Sequence, residues 1–436
     1  MKKRILIEEL PHHIGETVTV AGFVQTIRDQ SKIAFIILRD ISGTVQTVFI
    51  KPELVKSVSE ISTESVVKIV GKLKSEKQAP GGFEIEVQEF ELLSHANPEL
   101  PVPVIGKGSE ETDQQIRLDW RWIDLRRPEK ALIFKVWTVM EQAFRSYCIK
   151  NGYIEIHSPK LTATATESGA ELFEVKYFDK KARLAQSPQL YKQMAMAAGL
   201  EKVFEVGPVF RANPSFTSRH DTEFTMYDIE MSFIESHHDL MAEEEKMITE
   251  MVSAVKEKYG EDIKKMYGRE VVTPALPFPR LTLREAKKIL AELGIPNERG
   301  DDMSPEEERA ICEYVKKQHG HEFVFIHEFP TAVRAFYSMR DESDPTVTKS
   351  FDLLWNGLEI TSGAQREHRV DQLTKQIKEQ GLDLESFKVY IDFFRYGCPP
   401  HGGFAPGPTR MLMKIFDIAN VREVTYLYRG VKRLTP

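Results

Sequence analysis

The chain has 436 residues, a length typical of two or three domains, and carries a formal net charge of −7 with 29% charged residues. This balance favours a soluble protein and excludes a generally basic coat for nucleic acid, while a local basic patch stays compatible with it. The three cysteines lie far apart, which excludes a disulfide framework and a zinc-binding spacing and indicates a reducing compartment. No apolar signal segment opens the chain and no run of about 18 apolar residues occurs in it, so we expect a cytoplasmic protein without a membrane span.

Residues 16–95 have the pattern of a small β-barrel. Five segments rich in Val, Ile and Phe are separated by Asp-Gln, Ser-Gly and Pro-Gly-Gly turns, and a single helix, PELVKSVSEI, lies between the third and the fourth segment. This order is the plan of an OB-fold. Any other small β-barrel is the alternative that the pattern leaves open.

Residues 95–117 have the proline and glycine content of a linker. After them, IFKVWTVMEQAFRSYCIKNGY predicts a long amphipathic helix, and the remaining chain mixes helices with strands of antiparallel type. Two later helices are predicted to begin at capping boxes, which pair Thr282 with Glu285 and Ser304 with Glu307.

The segments KVFEVGPVFR and FTMYDIEMSFI flank a polar loop, and we predict that they form a pair of strands. Alternation places Phe224, Asp228 and Glu230 on one face of the second strand. Such a face needs charged partners, because lone buried carboxylates are unfavourable. Arg211, at the end of the first strand, offers a fork of donors suited to phosphate oxygens, and Phe224 offers a ring on which a base can stack. A surface hairpin with solvated salt bridges is the alternative.

Asn356-Gly357 predicts a two-residue hairpin turn. Regular pairing across this turn puts Asp352 opposite Thr361, so that Asp352 and Glu359 share a face. Two carboxylates beside arginines that attract phosphate fit Mg²⁺, which takes one or two carboxylates and completes its octahedron with phosphate oxygens and water. A charged sheet edge is the alternative.

The segment YGCPPHGGFAPGPTRMLMKIF holds three glycines, at 402, 403 and 407, that allow a close approach of the backbone. Arg410 follows at the start of an apolar helix. The pattern is that of another phosphate contact or, equally, of an ordinary tight loop.

Other polar groups receive no functional role from the pattern. The acidic runs 243–246 and 306–309 are interpreted as solvated helix faces. Most histidines have no convincing ligand spacing and are interpreted as surface or hydrogen-bonded side chains; these are His12, His13, His237, His238, His319, His321 and His327. His368 and His401 lie near the motifs without an assignable role.

Taken together, these segments resemble the signature motifs of class II aminoacyl-tRNA synthetases, in the aspartyl branch of archaeal and eukaryotic type. GYIEIHSPKL, with Pro159, is similar to motif 1 of the dimer interface. EVGPVFRANPSFTSRHDTEFTMYDIEMSF is similar to motif 2 and GGFAPGPTRMLMKIF to motif 3, while QSPQLYKQ and EITSGAQREHR resemble the segments that recognise aspartate. The resemblance covers essentially the whole chain and implies an α+β fold. It implies an OB-fold anticodon-binding domain at 1–104, a hinge at 105–130, and a catalytic domain at 131–436 with an antiparallel sheet flanked by helices.

The resemblance also implies roles for individual residues. Catalysis is assigned to Arg211 and Arg410. Binding of ATP is assigned to Arg211, Arg219, His220, Phe224, Asp352, Glu359 and Arg410. Binding of aspartate is assigned to Glu167, Gln189, Lys192, Asp228, Ser362 and Arg366. Magnesium is assigned to Asp352, Glu359 and Ser362, and the tRNA anticodon to Arg28, Phe35 and Gln46.

The activity implied is ATP-dependent formation of aspartyl-adenylate and transfer of aspartate to the 3′ end of tRNA(Asp), with Mg²⁺ as cofactor and a homodimer as the assembly. Whether tRNA(Asn) is charged as well stays open. Three alternatives are an asparaginyl-tRNA synthetase, an asparagine synthetase on the same core, and a paralogue that does not charge tRNA. The last one is kept open by departures from the family pattern at Asn213, Ala405, Pro406 and Thr409, which concern the handling of ATP.

Overall fold

The computed structural model describes residues 3–105, 112–163, 171–214 and 217–436. The chain divides into two compact units, Met1–Ala131 and Leu132–Pro436. Within the described residues, the helices are all too short or too polar to cross a membrane.

The first unit contains a closed five-stranded barrel in the order β1-β2-β3-β5-β4. A 3-10 helix at Ile7–His13 precedes it, and one α-helix separates the third strand from the fourth. The elements are β1 Thr17–Asp29, β2 Ala34–Arg39, β3 Thr44–Phe49, α1 Pro52–Ser59, β4 Val66–Ser75 and β5 Phe83–Ser94. Inward-facing Val, Ile and Leu side chains from every strand form one apolar core, which is what the alternating pattern predicts. The predicted barrel with its single helix is confirmed.

Two short helices follow in the first unit, α2 Gln114–Asp119 and α3 Arg121–Asp124. The side chain of Asp113 accepts a hydrogen bond from the amide of Gln115 and so caps α2. The last residues of the predicted linker are therefore helical. The predicted amphipathic helix is α4, Pro128–Lys150.

The second unit is built on a mixed eight-stranded sheet in the order β12-β13-β14-β15-β16-β11-β10-β6, beside a small sheet of β7, β9 and β8. The central pairs are antiparallel, as predicted, whereas the edge pairs β12/β13 and β10/β6 are parallel. The strands are β6 Ile154–Glu155, β7 Leu161–Thr162, β8 Glu174–Tyr177, β9 Lys180–Leu184, β10 Lys202–Phe210, β11 Glu223–Ser232, β12 Arg280–Thr282, β13 Phe323–His327, β14 Ser350–Trp355, β15 Leu358–Gln365 and β16 His401–Pro406.

Helices pack around this sheet. They are α5 Gln189–Ala197, α6 His237–Tyr267, α7 Leu283–Glu292, α8 Pro305–His319, α9 Val370–Glu379, α10 Lys388–Arg395, α11 Pro408–Phe416 and α12 Val421–Val424. Both predicted capping boxes are present, with Thr282 and Ser304 each accepting from the amide three residues on.

The interpretation of the acidic runs as solvated is wrong. Glu244 is completely buried, and Glu245 accepts a hydrogen bond from the amide of Phe278. In the second run, Glu307 lies 2.6 Å from the ammonium group of Lys287, and Glu308 is buried as well. Consecutive helical residues point about 100° apart, so three successive glutamates spread around the helix, and in both runs two of them turn towards the core.

The hairpin at Asn356-Gly357 is confirmed, and both residues have the positive φ angles, 44° and 77°, of its tight turn. The register beyond it differs from the expectation, because Asp352 pairs with Ser362 and not with Thr361. A β-bulge causes the shift, since Leu354 still pairs with Glu359 and Leu353 already pairs with Thr361. Glu359 keeps the expected face, and the bulge brings Ser362 onto the face that carries Asp352 as well.

Close backbone approach explains two of the three glycines in the β16 segment. A Cβ atom on Gly403 would overlap the carbonyl oxygen of Ile229 and the carboxylate of Glu230, both on β11, and one on Gly402 would lie 2.7 Å from the carbonyl oxygen of Ala364 on β15. At Gly407 the nearest atom, the carbonyl oxygen of Ile360, would be 3.6 Å away, which is an ordinary contact.

We expect Gly403→Ala to destabilise the second unit by about 1–3 kcal/mol or more, because the methyl group forces β16 away from β11. The measurement is the midpoint of denaturant unfolding followed by tryptophan fluorescence, to which Trp137 and Trp355 of the second unit contribute. Gly407→Ala, four residues on, is the matched control and should shift the midpoint little. Equal midpoints for the two variants would contradict this account of β16.

Candidate active site

A cavity of about 590 Å³ in the second unit brings most of the predicted site residues together. Its wall includes Gln189, Lys192, Arg211, Arg219, His220, Phe224, Asp228, Glu359, Ser362, Arg366 and Arg410. Asp352 lies behind this wall and lines a small neighbouring cavity with Glu359. Glu167 falls outside the described residues.

One end of the cavity pairs a guanidinium group with an aromatic ring. The Cζ atom of Arg211 lies 5.5 Å from the centre of the Phe224 ring, and its Nε donates weakly, at 3.4 Å, to the carbonyl oxygen of Gln186. Among the described residues no carboxylate forms an ion pair with Arg211. Its guanidinium group is thus available to an anion, beside a half-buried ring on which a planar group can stack.

Arg219 and Arg410 enter the same region from different elements. Arg219 forms a 2.8 Å ion pair with Glu308 of α8. Arg410, in the first turn of α11, donates to the carbonyl oxygen of Glu359 at 2.8 Å and lies 3.3 Å from its carboxylate. Burial lowers the pKa of the nearby His220, and the charges of Arg410 and Arg219 lower it further. This region therefore combines positive charge with a neutral imidazole.

The opposite end is a buried cluster of four ionisable side chains. The Nε and Nη2 atoms of Arg366 donate to the two carboxylate oxygens of Glu230, at 3.0 and 3.2 Å. The ammonium group of Lys192 lies 3.2 Å from Asp228 and 3.3 Å from Glu230. Burial opposes ionisation of Glu230, yet Arg366 and Lys192 outweigh it and lower its pKa; at Asp228 burial dominates and raises the pKa.

In this cluster Nη1 of Arg366 has no hydrogen-bond partner within the described part of the chain, and the residue lines the cavity wall. Glu230 pairs with both cations and Asp228 pairs with Lys192, which leaves Nη1 of Arg366 as the donor directed to a further partner. The cluster can thus receive one more acidic group from the cavity side, held by charge-assisted hydrogen bonds.

A hydrogen-bond chain fixes Gln189 at this end. Its amide donates to Oε1 of Gln193 at 2.9 Å, and the hydroxyl of Tyr390 donates to the same oxygen. The amide of Gln193 donates to Nε2 of His401, whose Nδ1 in turn faces the carbonyl oxygen of Pro399 at 2.8 Å. Burial lowers the pKa of His401 to about 4. The neutral ring with its proton on Nδ1 satisfies every contact, so His401 positions the chain.

Asp352, one of the two carboxylates assigned to magnesium, is held by Arg334, which the sequence did not indicate. Arg334 donates to Oδ2 of Asp352 at 2.7 Å and to the hydroxyl of Ser362 at 3.2 Å. Oδ1 of Asp352 is buried without a hydrogen-bond partner among the described residues. That free oxygen, the half-exposed carboxylate of Glu359 and the hydroxyl of Ser362 form an all-oxygen donor set, which fits a magnesium ion.

In the first unit, the residues assigned to the anticodon share the outer face of the barrel. Arg28 lies directly across from Phe35, and Gln46 lies across from Ile37, two residues further along β2. Phe35 is half-buried and Arg28 is exposed. Gln46 donates to the carboxylate of Glu84 at 2.8 Å. The outer face thus presents the ring of Phe35 with the polar side chains of Arg28 and Gln46 beside it, which suits stacking of a base.

Sequence reasoning missed Arg334 and Glu308, since neither belongs to a recognisable motif. Asp221, which lines the cavity, was missed as well; burial raises its pKa to about 7. Glu230 was placed on the correct face of β11, but its pairing with Arg366 joins residues 136 positions apart and has no signal in the local pattern.

Comparisons with known proteins agree with this geometry. The family tRNA synthetases class II (D, K and N) matches residues 113–429, and the OB-fold nucleic acid binding domain matches residues 18–93. The chain is 44% identical over 426 residues to the aspartate–tRNA(Asp) ligase of Pyrococcus abyssi, with 97% of each chain covered. It is 43% identical over 440 residues, the whole of both chains, to the aspartate–tRNA(Asp/Asn) ligase of Methanopyrus kandleri. The crystal structure of asparaginyl-tRNA synthetase from Pyrococcus horikoshii complexed with asparaginyl-adenylate has a TM-score of 0.93 at 34% identity, with both chains fully covered.

Glu244 of α6 supplies a pH-dependent contribution to stability beneath this site. Both of its carboxyl oxygens are buried without a partner among the described residues. Burial raises the pKa of Glu244 to about 8, and the nearby charges of Asp352 and Glu245 raise it further. The folded protein thus keeps a proton that the unfolded chain releases near pH 4.5. Its contribution is complete below that pH and is lost as the pH rises through about 8.

We expect Glu244→Gln to flatten the decline of stability between these two pH values, because the amide has no proton to lose. The measurement is the unfolding midpoint across that range. Glu257→Gln, an exposed position on the same helix, should keep the wild-type slope. A Glu244→Gln variant with the same slope as Glu257→Gln would show that Glu244 does not hold the proton.

Proposed function

The chain belongs to the class II tRNA synthetases (D, K and N), and we propose that it is an aspartate–tRNA ligase, which activates L-aspartate with ATP and transfers it to tRNA(Asp). The observation that carries this proposal is the opposed ends of the cavity. One end offers Arg211 with Phe224, suited to a nucleotide. The other offers Lys192 and the unpartnered Nη1 of Arg366, suited to the carboxylate of a small acid.

In the first step, an oxygen of the aspartate α-carboxylate attacks the α-phosphorus of ATP. The bond to the bridging oxygen breaks, pyrophosphate leaves, and aspartyl-adenylate forms. No protein nucleophile takes part. Arg211 neutralises the α-phosphate, Phe224 stacks on adenine, and Arg219, His220 and Arg410 surround the remaining phosphates, so that catalysis rests on positioning and charge stabilisation.

In the second step, a hydroxyl of the terminal ribose of tRNA attacks the carbonyl carbon of the adenylate, and AMP leaves. Gln189 and Lys192 hold the amino-acid end during both steps, together with Asp228. Glu167 is assigned to the same end by family resemblance alone.

We propose that Asp352, Glu359 and Ser362 hold Mg²⁺. The unpartnered Oδ1 of Asp352 supports this assignment, since a buried carboxylate oxygen without a donor is a ready ligand. When bound, the ion neutralises charge on the phosphate oxygens of ATP. Arg334 keeps Asp352 in place through its other oxygen.

Selection of aspartate over asparagine follows from charge. A carboxylate accepts forked hydrogen bonds from Arg366 and Lys192, whereas an amide turns its own donors towards these cations. Asparaginyl-tRNA synthetase is thus the less favoured reading, although its fold is closely similar. An asparagine synthetase would have no need of the OB-fold surface. A paralogue that does not charge tRNA is the remaining alternative, because Asn213 and Thr409 depart from the family pattern at positions that concern ATP.

The deciding experiment is ATP–pyrophosphate exchange with L-aspartate or L-asparagine, followed by charging of separate tRNA(Asp) and tRNA(Asn) transcripts. We expect exchange with aspartate alone. Exchange with asparagine alone would identify an asparaginyl-tRNA synthetase. Absence of exchange with either amino acid would identify a paralogue that does not charge tRNA. Relatives named for tRNA(Asp) alone and for both tRNA(Asp) and tRNA(Asn) are about equally similar to this chain. The charging assay with tRNA(Asn) therefore decides whether this tRNA is a substrate.

We further propose residues 1–104 as the anticodon-binding domain, 105–130 as the hinge and 131–436 as the catalytic domain. The likeness of GYIEIHSPKL to motif 1 supports a homodimer. A cytoplasmic location follows from the proposed tRNA substrate.

Replacing Arg366 with leucine should reduce aspartate-dependent exchange by on the order of 10²-fold or more, because it removes the fork that receives the substrate carboxylate. The residual binding of an ATP analogue, measured by calorimetry, reports whether the rest of the cavity is intact. Arg395→Leu, at an exposed arginine outside the cavity, is the control. An unchanged KM for aspartate in Arg366→Leu would place the acid-binding pocket elsewhere.

Arg211→Ala should lower the rate of adenylate formation by on the order of 10²-fold or more, as for the loss of one donor to transition-state charge. Single-turnover formation of adenylate is the direct measurement. Arg395→Ala removes an exposed guanidinium group outside the cavity and should leave the rate unchanged. Near-normal adenylate formation by Arg211→Ala would remove this residue from the mechanism.

Phe35→Ala should lower kcat/KM for tRNA charging about 5- to 150-fold, the equivalent of one base stack, and leave pyrophosphate exchange intact. The comparison of the two assays separates anticodon binding from activation. Leu93→Ala, another partly exposed apolar side chain of the barrel, serves as control. Full charging activity in Phe35→Ala would mean that the anticodon is bound by a different surface.

A further inference from the structure

Three histidines converge in the second unit at the junction of α6 and β13. His237 and His238 are the first two residues of α6, and His327 is the last residue of β13. One ring nitrogen from each lies within 4.8 Å of the others. The sequence shows no ligand spacing for these histidines, because the fold joins positions about 90 residues apart. None of the three lines the large cavity.

The distances suit a tetrahedral metal ion. Nε2 of His237 lies 3.5 Å from Nδ1 of His327, and Oε1 of Glu328 lies 3.3 Å from the same Nδ1. With zinc–ligand bonds of about 2.0–2.1 Å, two ligands of a tetrahedral site stand about 3.4 Å apart. The first separation matches this edge. Glu328 lies close to His327 alone, since the ligand atoms that lie within 4.8 Å of one another belong to the three histidines, so it reaches a shared ion by a change of rotamer.

The protein satisfies these rings poorly by itself. His237 is 4% exposed, and its Nε2 has only the long 3.5 Å contact with Nδ1 of His327 among the described residues. An imidazole nitrogen with so weak a contact inside the protein keeps a lone pair that a metal can accept.

The surrounding charges favour a cation. The acidic groups that act on the cluster are Asp239, Glu285, Glu328 and Asp341, and the basic groups are Arg280 and Lys349. The helix dipole at the start of α6 opposes a cation, and Asp239 in the first turn offsets it.

We propose that His237, His238 and His327, with Glu328 turning towards them as the fourth ligand, form a binding site for a divalent transition-metal ion of the zinc class, which joins the start of α6 to the end of β13. Three imidazoles and one carboxylate select zinc, cobalt or nickel over the harder magnesium and calcium ions. The ion has a structural role, since its ligands stand apart from the cavity that binds the proposed substrates. The site does not depend on the proposed activity.

The test uses the full chain, freed of any histidine tag and dialysed against a chelator. Titration with Co²⁺ alone should produce the intense visible absorption of tetrahedral cobalt, and Zn²⁺ should abolish it by displacement. Calorimetry should show one zinc ion per chain, and saturating zinc should raise the thermal unfolding midpoint. Mg²⁺ should do neither.

His238→Ala is the first variant, because this exposed ring is removed with the least disturbance to folding; His327→Ala and Glu328→Gln follow. Each should weaken zinc binding at least tenfold and abolish the cobalt spectrum, while His319→Ala, an exposed histidine of α8, should leave both unchanged. The proposal is overturned by the absence of tetrahedral cobalt absorption, or by zinc affinity in His238→Ala and His327→Ala equal to that of wild type. Because all readouts are metal binding and stability, they are independent of tRNA charging.

Discussion

The buried ion cluster of Arg366, Glu230, Lys192 and Asp228 is the constraint around which the second unit is arranged. Isolated charges at this depth would be strongly unfavourable, and each member is tolerated because the others neutralise it. Removing one member therefore leaves an uncompensated charge, which costs more than the pair contributes. The cluster joins α5, β11 and the end of β15. Its charges are balanced only when these three elements are neighbours, so the cluster favours this arrangement of the sheet.

Backbone packing makes the cluster possible. Glu230 can lie between β11 and β16 only because Gly403 has no side chain, and Arg366 also donates to the carbonyl oxygen of that glycine at 2.9 Å. On the far side, the chain of amides from Gln189 to His401 holds the wall rigid with a ring that stays neutral at physiological pH. Such preorganised dipoles and charges need no rearrangement when a charged substrate arrives.

Local rules predicted much of this architecture from the sequence. The five strands of the barrel, the capping boxes at Thr282 and Ser304, and the turn at Asn356-Gly357 each depend on residues close in sequence, and all are present. What could not be predicted depends on contacts between distant segments. Whether Glu308 meets solvent or Arg219, and whether His237 meets His327, is decided by helix rotation and strand order, which residue patterns do not encode.

The bulge beside Ile360 changes which face of β15 the side chains after it occupy. In a regular strand, neighbours on one face are separated by an even number of positions, so side chains three apart point in opposite directions. The inserted residue inverts this parity, and Glu359 and Ser362 therefore face Asp352 together. The number of residues between the turn and Ser362 therefore matters as much as their identity. Deleting one of them would restore regular pairing, turn Ser362 to the opposite face and remove it from the oxygen ligands.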